Sequence, residues 1–273
     1  MLLAVLMACA ALTDDSGLFV PRMRLISEVE SVRWQMGRVD DDTPHWQVIA
    51  YPELGIGDDF SIGMMFYTDT RMSDRRDATL RRMFYENDVF PYVSWDYEIF
   101  RGWTLQTKPQ LGFSYIDEWK GEAEGTPNFF GDFRWTETLY NPYVSVFVFF
   151  RRMYDPGNRM NGHIGLFREF RLPWWNLVLT PDILFFFGNA EENALRFGLD
   201  PTWNGENRHH SGFSSVMPGL KLSKTITEQI ALFVSFKELV VVNDEFRSTL
   251  EKRDRPINYL DIPIFSIGLS ISL

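Results

Sequence analysis

The chain has 273 residues, long enough for one barrel or for one to two soluble domains. A formal net charge of −10 argues against nucleic-acid binding, which needs a basic surface. Mean hydropathy is −0.18 and no internal run reaches the ~18 apolar residues of a spanning helix, so a helical membrane protein is not suggested. The single cysteine, Cys9, lies in an N-terminal apolar run, which leaves the rest of the chain without a disulfide or a thiolate metal site.

Met1 to Leu12 reads as the end of a secretory signal peptide, with Ala8-Cys9-Ala10 as a small-x-small cleavage site. A second reading is a lipobox, Leu6-Met7-Ala8-Cys9, with Cys9 lipidated. Either reading exports the protein, and residues 13–273 are expected to form a single domain. Met23 to Gly37 is then a first strand, with Val32, Trp34 and Met36 on one face. An acidic loop, Arg38 to Pro44, leads to alternating Trp46, Val48, Ala50, Leu54 and Ile56. Gly57-Asp58-Asp59 is a tight turn, and Phe60, Ile62, Met64 and Phe66 carry the chain back. Arg71 to Asn87 is charged and without strand period, so it reads as a loop.

Val93, Trp95, Tyr97 and Ile99 oppose Ser94, Asp96 and Glu98 on the next strand, which turns at Arg101-Gly102. Trp103, Leu105, Leu111, Phe113 and Tyr115 then oppose Gln106, Lys108, Gln110, Gly112 and Ser114. After a polar loop, Phe129 to Leu139 is a strand, Tyr140-Asn141-Pro142 a turn, and Val144, Val146, Val148 and Phe150 the strand that follows. Asp155-Pro156-Gly157-Asn158 is a turn signal. Ile164, Leu166 and Phe170 mark the eighth strand; Trp175, Leu177, Leu179, Ile183 and Phe185 mark the ninth. Gly188 to Ser211 is the longest loop. Phe213 to Ser223 and Ile230 to Val240 form a hairpin, and Asn243 to Ile257 is a last charged loop.

The final strand organises the rest. Phe265, Ile267, Leu269, Ile271 and Leu273 alternate with Ser266, Gly268, Ser270 and Ser272. A period of 2 puts a wholly apolar set on one face and only small residues on the other. Connection lengths also alternate along the chain. Tight turns fall near residues 58, 101, 141, 173 and 225, and mostly longer loops at 38–44, 71–87, 116–128, 153–158, 188–211 and 243–257. The tally is about twelve strands, an even number.

With its terminal strand, its aromatic content of 16% and its segregated loops, the sequence resembles Gram-negative outer-membrane β-barrels. Its recurring Pro-x-apolar-x-apolar strands, at Pro52, Pro91, Pro109, Pro142, Pro181, Pro218 and Pro263, resemble small uncharacterised porin-like families. That resemblance implies an all-β fold: a single closed antiparallel transmembrane barrel of about twelve strands with both termini periplasmic. It implies a location in the outer membrane of a Gram-negative bacterium, contact with lipid and lipopolysaccharide, and delivery of the C-terminal strand to the barrel assembly machinery. The prolines sit awkwardly with closure, because each removes a ladder donor and a barrel has no free edge.

The expected lumen-lining set is Glu53, Asp96, Glu98, Gln106, Lys108, Gln110, Glu137, Glu169, Arg171, Asp182, Lys221 and Lys237. Charges of both signs either line a water-filled pore or pair into a plug. Inward Tyr51, Tyr67, Tyr92, Phe147, Phe149 and Phe186 favour a narrow or occluded lumen. Across the Arg101-Gly102 turn, Asp96 and Glu98 are expected to cluster with Lys108. Two functions follow: a narrow channel for small polar solutes, or a structural barrel. The alternative is a barrel enzyme acting on outer-membrane lipids. Barrel lipases carry a serine two residues after a strand histidine; here Gly165 follows His163, and the motif is missing. His209-His210 with Glu206 and Asp200, Asp40-Asp41-Asp42 and Asp58-Asp59 are weak cation candidates. No phosphate loop or nucleophile elbow is present, and no cofactor, metal or catalytic activity is expected.

Overall fold

The computed structural model describes residues 19–35, 38–41, 44–71, 86–116, 129–154, 159–173, 175–197, 211–251 and 261–273. Twelve long strands form one antiparallel sheet. They are β1 Phe19–Glu30, β2 His45–Ile56, β3 Phe60–Arg71, β4 Glu86–Phe100, β5 Trp103–Ile116, β6 Phe129–Tyr140, β7 Ser145–Met153, β8 Met160–Phe167, β9 Leu177–Gly188, β10 Gly212–Thr225, β11 Ile230–Val241 and β12 Asp261–Ser272. Each pairs with its sequence neighbour, and β1 pairs with β12, so the sheet closes on itself. Closure leaves no backbone edge, which is what a sheet needs to stand in hydrocarbon. No helix among the described residues is long and apolar enough to cross a membrane, a statement about helices only.

The register fixes the geometry. Following direct partners once around the barrel returns to the starting strand displaced by about sixteen residues. For twelve strands that displacement sets a tilt of about 45°. The tight turns all lie at one end and the longer connections at the other. β1 begins and β12 finishes at the turn end, where Met23 and Leu273 exchange both backbone hydrogen bonds.

The prolines are absorbed by a simple device. In an antiparallel strand, one residue's N–H and C=O point to the same neighbour, so a proline disturbs only one side. Pro52 stays in register with Met23 of β1, whereas the β2–β3 ladder skips from Ala50–Phe66 to Glu53–Gly63. Pro91, Pro109 and Pro218 likewise keep Met64, Trp135 and Ile183 and break the ladder on the other side. All four share parity with the outward apolar residues of their strands.

The first strand differs from expectation. β1 stops at Glu30, and Arg33–Gln35 pairs separately with Arg38–Asp41 as a two-stranded ribbon. Val32 packs against the lumen interior instead of extending an outer face. Trp175 is in a turn, not a strand: it and Asn176 have φ of 61° and 52°, and Trp175 is 79% exposed. The last two long connections contain helices that the strand-centred reading passed over, α1 Ala190–Phe197 and α2 Asp244–Glu251. Asn189 caps the first by accepting from the Glu192 N–H at 3.0 Å, and Asn243 caps the second by accepting from Phe246 at 3.2 Å. An Asn followed by acidic residues was the available signal for both. Residues 1–18, the Asp155–Asn158 turn and His209-His210 lie outside the described residues.

Candidate functional site

The outside is apolar along its whole height. Ile62, Leu111, Val148, Ile164, Leu220, Leu232 and Val234 are exposed, and Ile267 reaches 62%. Aromatic residues gather at both ends. Phe100, Trp103, Tyr143 and Trp175 lie at the turn end; Trp46, Phe113, Tyr154, Phe187 and Phe213 lie toward the loops. In β12, Phe265 is 57% exposed while Ile264 is 1% exposed, so the parity read from the sequence holds.

The lumen has two layers. Toward the loop end it is closed. Leu184, Phe186, Met217, Leu239, Ile262 and Ile264 form one buried cluster, with Phe147 and Val32 against it. Above Ser266, beyond the stretch read as small-faced, Ile262 and Ile264 continue the inner face of β12 and fill the interior. The opposite wall is ionic. Asp132 accepts from Arg134 Nε at 2.9 Å and Nη2 at 3.0 Å, and from Arg151 Nε, all within the buried layer. The Arg134 guanidinium also lies 3.7 Å over the Phe90 ring. One carboxylate clamped by two guanidiniums and backed by an aromatic face satisfies charges that water does not reach. Buried His45 donates Nδ1–H to Asp69 at 2.9 Å on β2 and β3, and Gln47 donates to Glu30 at 3.0 Å. The sequence reading missed this ionic group, although Asp132 and Arg134 share parity with Thr136 and Thr138 on β6. His163 is inward but caged, with Phe149 stacked at 4.7 Å and Phe147 and Phe186 at 5.4 Å.

Below this septum, toward the turns, the inward side chains are half-exposed, and most of the expected lumen set lies there. Glu53 accepts from Tyr92 Oη at 3.0 Å and pairs with Arg22 at 3.7 Å. Asp96 accepts from Gln106 Nε2 at 2.8 Å. Asp182, Lys221 and Lys237 share parity with the buried Leu184, Met217 and Leu239 of their strands and so face inward. Register against Val178 and β9 turns Arg171 and Glu169 inward near the rim, and Gln110 is buried at the septum's underside.

Two expectations need correction. Glu137 is not in the lumen. It opposes the exposed Val148 and shares the outer face with Trp135, whose Nε1 donates to it at 2.6 Å; Thr107 Oγ1 donates at 2.7 Å. Its parity companions Phe133, Trp135 and Leu139 are apolar, so strict alternation would have put it outside. The cluster of Lys108 with Asp96 and Glu98 forms only in part: Asp96 acts on Lys108 without a direct ion pair, and Glu98 stays out of it. Glu98 accepts from the Gly102 N–H at 3.0 Å and so serves the turn. Lys108 instead places Nζ 3.7 Å from the Tyr92 ring centroid and 5.6 Å from that of Tyr51.

Glycine makes this arrangement possible. Gly63 lies directly opposite Tyr92, and any Cβ there would collide with the ring. The ring therefore lies over Gly63 on the wall. Gly165 accommodates Phe147, and Gly268 accommodates Phe233, in the same way. Among the described residues no group of three or more His, Cys, Asp or Glu is placed to hold a metal ion.

A closed antiparallel barrel with an apolar exterior, aromatic residues at both ends and a polar lumen is a transmembrane β-barrel of the porin-like, outer-membrane type. No protein family and no curated protein matches the chain. Solved structures with a similar fold include the KdgM porin, with TM-score 0.48 and 8% identity over 92% of this chain and 99% of that one. The NanC porin has TM-score 0.49 and 10% identity over 93% and 100%. Outer membrane phospholipase A from Escherichia coli has TM-score 0.47 and 13% identity over 92% of each chain.

Proposed function

We propose that the protein is an integral barrel of the Gram-negative outer membrane that passes small polar solutes through a narrow, closable lumen, and that it has no catalytic activity. The layered lumen carries this reading: charged, half-exposed inward side chains lie below a buried septum. A barrel built only as a membrane staple has no need of solvated charges held along one half of its interior, since buried or half-buried charge is costly. In this reading the turns face the periplasm, the loops face lipopolysaccharide, and β12 is the strand presented to the assembly machinery.

Planar-bilayer recording of the purified, heat-modifiable protein tests it. The expected record has small, infrequent steps, with a reversal potential in a salt gradient that moves when Lys108 becomes Glu. A folded protein that gives no steps at any voltage, even with its septum opened by mutation, would reduce the molecule to a structural barrel. Phospholipid hydrolysis by the folded protein, absent from a denatured control, would replace the channel with the lipid-enzyme alternative.

A further inference from the structure

Lys108 and Lys221 are held by the same device on nearly opposite walls. Gly63 of β3, Tyr92 of β4 and Lys108 of β5 form one three-strand set. Gly268 of β12, Phe233 of β11 and Lys221 of β10 form the other, with Lys221 Nζ 4.0 Å from the Phe233 ring centroid. In each, the glycine lies directly opposite the ring, the ring lies over the glycine, and the lysine sits diagonally across the ring. The register places them in one layer. At a tilt of about 45°, each step to a neighbouring strand changes height by roughly 1.3 residues. Carried around the barrel, Lys108 and Lys221 fall within about one residue of the same height. Toward the loops from that layer lies the septum, with Met217 four residues from Lys221 along β10.

Carboxylates flank the layer: by the same register Glu53 and Asp96 fall about two to three residues toward the turns and Glu28 about three toward the loops. Glu53 and Asp96 are the ones whose field reaches Lys108; Glu28 and Glu169 act on Lys221 with Arg24 and Lys237, and Lys221 and Lys237 act on Asp182. Among the described residues, no ion pair within 4 Å joins any of Arg24, Glu28, Asp96, Lys108, Asp182 and Lys221. The septum above shows what this chain does with charges it means to neutralise: it clamps them in direct contact, as at Asp132. Lys108 and Lys221 instead lie on aromatic faces, with Glu28, Asp96 and Asp182 held apart from them, while Glu53 pairs with Arg22 at 3.7 Å.

We infer that this set of charges is a binding site for a small zwitterionic solute, one that carries both an ammonium and a carboxylate, as an amino acid or short peptide does. A simple anion meets Lys108, Lys221 and Arg24 but is repelled by Glu28, Glu53, Asp96 and Asp182. A simple cation meets the reverse. Only a solute carrying both signs satisfies both sets without leaving half of them opposed. The Tyr92 and Phe233 rings supply flat apolar surfaces for the carbon skeleton between its charged ends.

The inference rests on reading the lumen as a solute path, but its test does not need conduction. Diglycine, N-acetyl-diglycine and diglycinamide are titrated calorimetrically into the intact barrel in nonionic detergent. Diglycine is expected to bind about tenfold more tightly than either singly charged analogue. Lys108→Gln and Lys221→Gln, each checked for heat-modifiable migration, should abolish that preference and move it toward diglycinamide. Equal affinity for the three probes, or no binding by the folded wild-type barrel, overturns the inference even if the protein conducts. Preferential diglycine binding without conductance would uphold the site and overturn the channel instead.

Discussion

Met217 is the residue whose truncation best probes the septum. It is 0% exposed and lies directly opposite Leu184, within the cluster formed by Phe186, Leu239, Ile262 and Ile264. Met217→Ala removes the side chain beyond Cβ from a packed interior, where such a change costs about 2–5 kcal/mol through lost burial and residual cavity. The cavity would sit above the half-exposed inward side chains, so it should hydrate and breach the closure. Two readouts should therefore move together. The heat-modification midpoint should fall, and bilayer steps should become larger or more frequent than in the wild type. Met217→Leu conserves volume and should cost less than about 1.5 kcal/mol, with closure retained. The reasoning fails if the alanine variant matches wild type in both measurements, or if the leucine variant conducts as freely as the alanine one. Either result would mean that the buried cluster packs the wall without closing the lumen.

Ile267→Arg, on the outer face of β12, should destabilise the barrel by about 2–4 kcal/mol near mid-membrane, whereas Ser270→Arg on the inner face should be milder; equal heat-modification midpoints would refute the face assignment. Asp132→Asn leaves Arg134 and Arg151 without their shared counter-charge, and removing one partner of a buried pair should cost about 3–5 kcal/mol, read as a lowered unfolding midpoint in urea. Gly268→Ala would drive a Cβ into the Phe233 ring and to 2.7 Å from the Ser27 carbonyl oxygen, a strain of about 1–3 kcal/mol that should weaken β12 closure against β1 in hydrogen exchange; unchanged exchange at the β1–β12 seam would contradict it.

What the sequence determined by itself follows from local rules. Alternation assigns a face to each strand residue because the side-chain period is 2 wherever the backbone is extended. The segregation of short and long connections gave twelve strands with one turn end and one loop end, and Phe265 to Leu273 identified the lipid face. Those features need no knowledge of which strand meets which. Glu137 was legible too, had the parity of Phe133, Trp135 and Leu139 been followed instead of its charge. The contacts inside the lumen were not legible, because they depend on register around a tilted, closed sheet. Only the tertiary structure decides that Lys108 sits on the Tyr92 ring instead of pairing directly with Asp96, since cross-strand diagonals are set by shear, not by spacing along one strand. Inward Ile262 and Met217 read as ordinary strand residues until closure brings them into one layer with Leu184 and Leu239. The same closure lets Pro52 and Pro91 sit inside a continuous barrel, because each strand is paired on two sides and a proline gives up only one of them.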